Sequence, residues 1–294
     1  LHYPLRRQRQ MCIRDRSLLS AELLKMNFKK LKRDRRRPDL FLVLFFAFTF
    51  FYGCAALRPG PKGPPLTDQQ VGAILSEMDM QRTRVSSFYS PGKVVMKDGL
   101  LEAESDILIV GTKEPLRIKI EFTHPWGKPL LHVLIDDMRL EVLSFKDKKY
   151  YSGAFSPDAL SRFFPGGLDL PMIWAVLRGY PDLLKFNNIL SPGANRILVL
   201  DERGVEIQMV TISDKNPIPE KVDLLRQGVQ LAFWDYQSEG GILCARKERI
   251  AHPESNKTLF LQRKTTVFNK PIPEAIFVLE KPPHFEQANL EDIR

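Results

Sequence analysis

The clearest pattern in the chain is a two-residue alternation of apolar and charged positions between residues 116 and 122. Successive side chains of a strand point to opposite faces, so this pattern predicts a strand with one buried face. Similar runs recur towards the C-terminus, and turn signals rich in glycine, proline and aspartate separate several of them. The predicted strands lie at 87–97, 102–111, 116–122, 130–135, 139–145, 149–153, 196–201, 205–213, 228–237, 242–251, 258–268 and 276–281.

Helical patterns interrupt these strands at three places. Thr67 and Gln70 fit a capping box at the start of an amphipathic segment. The apolar segments 157–164 and 171–178 each begin at a proline, which favours the first turn of a helix. A large antiparallel sheet is expected to curl or close. We therefore expect a mainly β (α+β) fold, in which an open half-barrel of about eleven strands is covered by three short helices.

A targeting signal precedes the predicted domain. Basic residues are followed by the apolar run 40–52, whose 13 residues are too few to span a bilayer, since a spanning helix needs roughly 20. This order is typical of a secretory signal peptide. The sequence Phe51-Tyr52-Gly53-Cys54 resembles the lipobox of bacterial lipoproteins. The resemblance implies that signal peptidase recognises the first three residues and that Cys54 is acylated. An uncleaved membrane anchor is the alternative.

These signals divide the chain into five predicted segments. A signal peptide begins at its basic region, so we interpret the residues before Met26 as upstream sequence foreign to the protein. A proline- and glycine-rich tether follows the signal peptide. The segments are 1–25 (foreign), 26–53 (signal peptide), 54–66 (tether), 67–284 (folded domain) and 285–294 (polar tail).

The charge distribution removes the main argument for nucleic-acid binding. The net charge is +9, and residues 1–53 hold 13 basic and four acidic residues. The part of the chain from Cys54 onward is therefore formally neutral. An aspartate directly after the acylated cysteine resembles an inner-membrane retention signal, which Ala55 does not provide. We expect a monomer anchored through Cys54 to the periplasmic face of the outer membrane.

Patterns of catalytic or metal-binding residues are missing from the sequence. The histidines after Met26, which are His124, His132, His252 and His284, lack zinc-site spacing. The sequence has neither a glycine-rich phosphate loop nor a Gly-x-Ser-x-Gly motif. Cys244 lies in an apolar strand, where a small buried thiol is expected. We expect neither an enzyme nor a bound cofactor or metal.

Three stretches of the domain resemble the LolA/LolB lipoprotein-localisation superfamily. They are 116–127, with a strand that runs into His-Pro-Trp-Gly, 172–181, with a tryptophan-containing helix that ends in Gly-x-Pro, and the late region around Tyr236 and 273–282. The order of signal, helix, strands, helical insertion and further strands is also similar. The resemblance implies a receptor that accepts lipoproteins from a periplasmic carrier and inserts them into the outer membrane. Lipid-sensing and purely structural lipoproteins are the alternatives.

Two candidate sites follow from the resemblance and the local sequence. The loop His124-Pro125-Trp126-Gly127 is expected to project from the sheet and to insert its tryptophan into a membrane, since tryptophan suits the interface. The alternative is a Trp126 folded back onto the sheet. An apolar cavity under the helices would take the acyl chains. Its candidate lining residues, for which ordinary core packing is the alternative, are Leu116, Ile118, Ile120, Phe122, Trp174, Met209 and Phe233.

Overall fold

The computed structural model describes residues 63–292, in which one large sheet is the main element. Three α-helices accompany it: α1 (Asp68–Thr83), α2 (Pro157–Leu160) and α3 (Leu170–Leu177). Short 3-10 turns occupy Pro253–Ser255, Glu274–Phe277 and Leu290–Asp292. The strands are β1 (Ser87–Asp98), β2 (Leu101–Lys113), β3 (Leu116–Thr123), β4 (Pro129–Asp136), β5 (Arg139–Ser144), β6 (Lys149–Ala154), β7 (Asn188–Gly193), β8 (Arg196–Leu200), β9 (Glu206–Ile212), β10 (Pro219–Leu224), β11 (Val229–Glu239), β12 (Ile242–His252), β13 (Lys257–Arg263), β14 (Val267–Phe268) and β15 (Glu286–Asn289).

The sheet is open and almost entirely antiparallel. Its order is β15-β6-β5-β4-β3-β2-β1-β13-β12-β11-β10-β9-β8-β7, and β14 pairs with β1 beside this path. Only the pairing of β15 with β6 is parallel. The two edge strands, β15 and β7, are not paired with each other. A mainly β fold with a curled, unclosed sheet and three short helices is thereby confirmed, although the sheet has 15 strands rather than about eleven.

Alternate connections lie at the same end of the sheet, because neighbouring strands are antiparallel. We call one end the Trp126 end, since it holds the β3–β4 loop, and the other the Met138 end, since it holds the β4–β5 turn. The Trp126 end also holds the connections β1–β2, β5–β6, β8–β9, β10–β11 and β12–β13.

Each face of the sheet carries an apolar cluster. The larger cluster lies on the inner face and combines strand residues such as Ile120 and Val142 with residues of all three helices. The smaller cluster lies on the outer face, where Phe277, Leu279 and Phe285 cover β2, β4, β5 and β6. Ile109 and Val110, adjacent on β2, belong to different clusters. The sheet is therefore buried on both faces at β2, and the alternation of apolar and polar residues is weaker in the sequence of this strand.

The strand predicted at 276–281 is wrong. Residues Glu274–Phe277 form a 3-10 turn, and the residues after it stay outside the sheet. Prolines at 271, 273, 282 and 283 flank this segment. Proline has no N–H for a sheet ladder, so the segment crosses the outer face and buries Phe277 and Leu279 there.

The sequence analysis missed three strands, and each has a weak pattern. β7 is an edge strand that contains Pro192 and Gly193, and β10 begins at Pro219. β15 is the polar segment Glu286–Asn289, which lies within the predicted tail 285–294. After it, Leu290 is buried in the inner cluster. Backbone pairing holds β7 and β15 in the sheet, whereas β10 also buries Val222 and Leu224 in the inner cluster.

The predicted lipidation and sorting residues lie outside the described part of the chain. These residues are Phe51, Tyr52, Gly53, Cys54 and Ala55. The predicted foreign segment 1–25 and the predicted signal peptide 26–53 also lie outside the described residues. Between residues 63 and 292, no helix combines the length and the hydropathy needed to cross a membrane.

Candidate functional site

The inner face of the sheet brings together most of the predicted lining residues. Ile118 and Ile120 are fully buried there, and Phe122 and Phe233 are nearly so. Leu116 is half-buried against the same cluster. Trp174 of α3 packs onto it from the helical side.

Met209 is placed differently from the other predicted lining residues. Along β9 the core residues Val210 and Ile212 alternate with it, so its side chain belongs to the opposite face of the strand. Its side chain is half-buried.

Helices α2 and α3 form a lid over the inner face. Ser156 and Asp169 cap them by accepting hydrogen bonds from Ala159 N–H and Met172 N–H. All six residues from Met172 to Leu177 are buried. The lid therefore fills the inner face with its own apolar side chains.

A close contact of Trp174 fixes α3 against the sheet. Its ring lies 5.0 Å, centroid to centroid, from the ring of Phe88. Both rings lie over Gly111, where an added Cβ would be 2.7 Å from the Phe88 ring and 3.0 Å from the Trp174 ring. Because Gly111 has no side chain, the rings of Phe88 and Trp174 can pack against each other above it.

A buried arginine bonds the C-terminal end of α3 to the sheet. The Arg263 guanidinium donates from Nη2 to the carbonyl oxygens of Val176 at 3.1 Å and Leu177 at 2.9 Å. Its Nη1 donates to the Ala245 carbonyl at 2.9 Å and lies 2.7 Å from Glu248 Oε1. Burial raises the pKa of Glu248 to about 7, although Arg263 opposes the shift. One side chain thus satisfies two orphan carbonyls of the lid helix.

The chain approaches β12 closely just after α3. The Ala245 N–H donates to the Gly179 carbonyl at 2.7 Å. Gly179 has φ +89°, and a Cβ there would lie 2.5 Å from Cys244 Sγ. Glycine is therefore needed at this position for both its backbone conformation and the available space.

Arg178, the residue between α3 and Gly179, is buried without a hydrogen-bond partner for its guanidinium among the described residues. Its side chain is 0% exposed. The guanidinium carbon lies 5.3 Å from the centre of the Tyr180 ring. Burial lowers the pKa of Arg178 and raises that of Asp182 nearby. The end of the lid thus holds a charge whose burial is unfavourable.

An open groove lies between α1 and the Met138 end of the sheet. Its volume is about 700 Å³. Apolar side chains from α1, β9, β12 and the β9–β10 loop form much of its wall, and the described end of the tether forms one rim. It is lined by Leu66, Gln70, Ala73, Ile74, Glu77, Asn195, residues 212–218 and Leu243.

The groove shares residues with the core, although none of the predicted lining residues lies in it. Ile74 and Ile212 line the groove and also belong to the inner cluster. The Leu66 N–H donates to Ser191 Oγ at 2.8 Å, which holds the end of the tether beside the groove. The floor of the groove is thus formed in part by residues of the apolar core.

The predicted loop projects from the opposite end of the sheet. The Gly127 N–H donates to the His124 carbonyl at 2.7 Å, and Gly127 has φ +81°. The rings of His124 and Trp126 lie 4.4 Å apart, and Trp126 is 84% exposed. The tryptophan therefore points into solvent and is not folded back onto the sheet. Pro125 lies between His124 and Trp126 in the sequence, and its fixed backbone angle helps to define the turn.

Sequence analysis missed the buried charges at the lid and the groove residues. Glu248 and Arg263 stand at core-facing positions of β12 and β13, in phase with Ile250 and Leu261. A charged residue at an inward-facing position of a strand was the available signal. The groove had no such signal, because α1 and the β9–β10 loop are distant in the sequence. Within residues 63–292, no group of three or more His, Cys, Asp and Glu side chains is arranged to hold a metal ion.

Comparisons with known proteins show the fold. No family model and no curated protein sequence matches the chain. A DUF1329 family protein from Desulfovibrio piger is similar in structure, with a TM-score of 0.51 and 13% identity over 71% of this chain and 97% of that chain. A LolA superfamily protein from Nitrosomonas europaea matches over the same shares, with 13% identity and a TM-score of 0.46. The first comparison establishes a shared fold.

Proposed function

We propose that the protein is a receptor of the lipoprotein-localisation superfamily, anchored by lipid in the outer membrane. It accepts lipoproteins from a periplasmic carrier, buries their acyl chains between lid and sheet, and inserts them into the membrane. No bond chemistry is needed for this task, so we propose that it is not an enzyme.

The groove beside α1 is the observation that carries this proposal. Its volume of about 700 Å³ lies within the range of small-ligand sites, which is about 300–1,000 Å³. Its residues Ile74 and Ile212 belong to the same apolar cluster as Ile118 and Phe233. Each methylene that leaves water contributes about 0.8 kcal/mol, so cargo moves from carrier to receptor to bilayer by differences in affinity.

The lid determines how much of an acyl chain is accommodated. Its side chains from Leu160 to Leu177 occupy the inner face. In the proposed mechanism the end of an acyl chain enters the groove first, and α2 and α3 then move to uncover the inner face. The unpaired charge of Arg178 lowers the cost of this movement, because its guanidinium regains water when the lid opens.

The groove and the Trp126 loop lie at opposite ends of the sheet, which separates the two partners. A carrier at the Met138 end has access to the groove. The exposed Trp126 remains free to contact the bilayer at the other end. Loading and membrane contact are therefore compatible in one complex.

Displacement of a fluorescent fatty acid tests acyl binding at the groove. Ile218 lies in the β9–β10 loop, lines the groove half-buried and packs against the margin of the inner cluster, so Ile218→Glu places a charge in the groove. We expect weaker binding of the probe. Val278→Glu, at a residue 53% exposed on the outer face, is the matched control. Equal affinity of both variants and the parent chain would exclude the groove.

Depletion of the protein, followed by membrane fractionation, tests delivery. We expect lipoproteins of the outer membrane to accumulate elsewhere, and the parent chain to restore their location. Trp126→Glu is expected to bind the fatty-acid probe normally but to fail in inserting a labelled lipoprotein into liposomes. Correct lipoprotein placement in depleted cells would contradict the proposed function. Full insertion by the Trp126 variant would contradict only the role of the loop.

A further inference from the structure

We propose that the β1–β2 hairpin is a second membrane-contact element, whose tip at Leu100 and Leu101 inserts into an anionic lipid bilayer beside the Trp126 loop. The proposal deepens the proposed function, on which it rests for the orientation of the Trp126 end towards the membrane.

The most exposed large apolar side chains of the described residues share one end of the sheet. Leu100 is 104% exposed, Trp126 84% and Leu101 77%. The β1–β2 and β3–β4 connections belong to hairpins whose inner strands, β2 and β3, are direct neighbours. Single exposed apolar residues are common on protein surfaces, but a group of them marks an interaction site.

Turn geometry does not explain the two leucines. The hairpin turn has Gly99 at its first central position, with φ +59°, and Leu100 at its second. Only Gly99 of these two has positive φ, so the second position accepts most residue types. The Gly99 N–H donates to the Asn256 carbonyl at 3.3 Å, so the turn is held by backbone contacts alone. A polar residue at position 100 would serve folding equally well.

The hairpin also reaches beyond its neighbour. The last residue of β3, Thr123, pairs with Asp106 of β2. The five residues from 101 to 105 therefore pair only with β1 and extend past β3, by roughly 17 Å at about 3.4 Å per residue. The hairpin tip thus projects past β3, whereas β13 accompanies β1 on the other side up to Asp98.

The inner side of the hairpin continues the apolar interior to the tip. Val94 is 1% exposed in the core, Met96 two residues on is 36% exposed, and Leu101 shares their face through the β1–β2 register. Ala103 lies opposite Met96 on the same face. Apolar side chains on this face thus reach from the inner cluster to Leu101, beside which Asp98 is the opposite residue of β1.

The charges at this end favour a lipid surface with negative headgroups. The loops beside Trp126 carry four lysines against Asp147 and Glu286, and none of the four forms an ion pair with a described residue. On the hairpin, the cross-strand pairs Lys93–Glu104 and Lys97–Glu102 neutralise each other, and the acidic Asp98 and Asp106 remain, so the lysine excess lies on the neighbouring segments and not on the hairpin. Lysines attract anionic headgroups at about 1 kcal/mol each near the surface. The four lysines are Lys128, Lys146, Lys148 and Lys149.

Quenching by brominated lipids tests the contact in the full chain. Leu100→Trp adds a reporter at the hairpin tip, and Met138→Trp, at a residue 66% exposed, adds one at the other end. Vesicles contain brominated phosphatidylcholine with or without phosphatidylglycerol, and the emission of the parent chain is subtracted. We expect loss of the added emission for Leu100→Trp and no such loss for Met138→Trp. A second change, Leu101→Asp, is expected to remove the quenching.

Each outcome bears on the proposal. Equal quenching of the two reporters, or none at position 100, would overturn it. Equal quenching with and without phosphatidylglycerol would overturn the preference for anionic lipid. Lipoprotein transfer is measured on the same samples. Transfer without quenching at position 100 contradicts the hairpin contact alone, whereas quenching without transfer contradicts the proposed function alone.

Discussion

Arg263 and Glu248 form an ion pair inside the domain, with 2.7 Å between Nη1 and Oε1 and 1% of each side chain exposed. The pair joins β12 and β13 on the inner face and lies under the end of the lid. Removal of either partner alone leaves a buried charge, which makes both residues sensitive positions.

The first prediction concerns pH. Burial raises the pKa of Glu248 from its ordinary 4.5 to about 7, so between these values the folded state holds a proton that the unfolded state releases. The contribution of Glu248 to the free energy of unfolding is therefore largest below pH 4.5 and falls as the pH rises to 7. Urea unfolding of the parent chain and Glu248→Gln over this range measures it.

The difference in free energy between parent and variant is the quantity to compare, since other titrating groups cancel in it. The exposed Glu206→Gln serves as the reference for loss of one surface carboxylate. If the free energy of unfolding of the parent chain rises relative to that of Glu248→Gln between pH 4.5 and 7, the pKa of Glu248 is not raised by folding.

The second prediction concerns the attachment of the lid. Arg263→Lys replaces a planar fork of donors by one ammonium, which cannot bond the Val176, Leu177 and Ala245 carbonyls together. We expect a loss of about 1–3 kcal/mol in the free energy of unfolding. Amide hydrogen exchange should become faster at residues 178–180.

Arg226→Lys is the control for this exchange measurement. Arg226 pairs with Asp201 at the Trp126 end, and its side chain is 53% exposed. It is expected to leave lid exchange unchanged. Unchanged lid exchange in Arg263→Lys as well would show that the guanidinium does not hold the lid.

The third prediction is a gain in stability. Arg178→Met keeps an unbranched side chain of similar length and removes a buried charge that has no hydrogen-bond partner among the described residues. We expect the free energy of unfolding to rise by about 1 kcal/mol or more. Thermal or urea unfolding measures the change, and slower fatty-acid uptake should accompany it if Arg178 favours lid opening. A less stable variant would show that the Tyr180 ring compensates the charge.

Much of the fold was predictable because local patterns agree with it. The alternation of apolar and charged residues around Ile118 and Ile120 predicted which side chains of β3 are buried on the inner face. The capping box predicted at Thr67 and Gln70 is present at the start of α1. Strands with weak apolar patterns were missed. β15, for example, is held by parallel pairing with β6, and pairing partners cannot be read from local periodicity.

The candidate site was predictable only in part. Exposed Trp126 followed from its loop chemistry, whereas the groove depends on α1 and the β9–β10 loop, which meet only in the folded chain. Met209 illustrates a further limit. A register shift between Val199 and Leu200 on β8 changes the phase of β9, so an apolar residue expected to face inward faces outward.

The last prediction tests the packing of the lid helix through Gly111. Gly111→Ala places a Cβ 2.7 Å from the Phe88 ring and 3.0 Å from the Trp174 ring. Both rings belong to the buried inner cluster, so neither side chain moves without a cost. We expect the free energy of unfolding to fall by about 1–3 kcal/mol. Changed near-ultraviolet circular dichroism should report the displaced Trp174.

Gly72→Ala is the matched control, because the same methyl group is added in open space. Gly72 lies in α1, and no atom lies within 4 Å of its added Cβ. Since alanine favours a helix interior, this variant should gain about 0.5–1 kcal/mol. Opposite signs for the two substitutions are expected. A loss at both positions would mean that the Phe88–Trp174 contact is not what limits position 111.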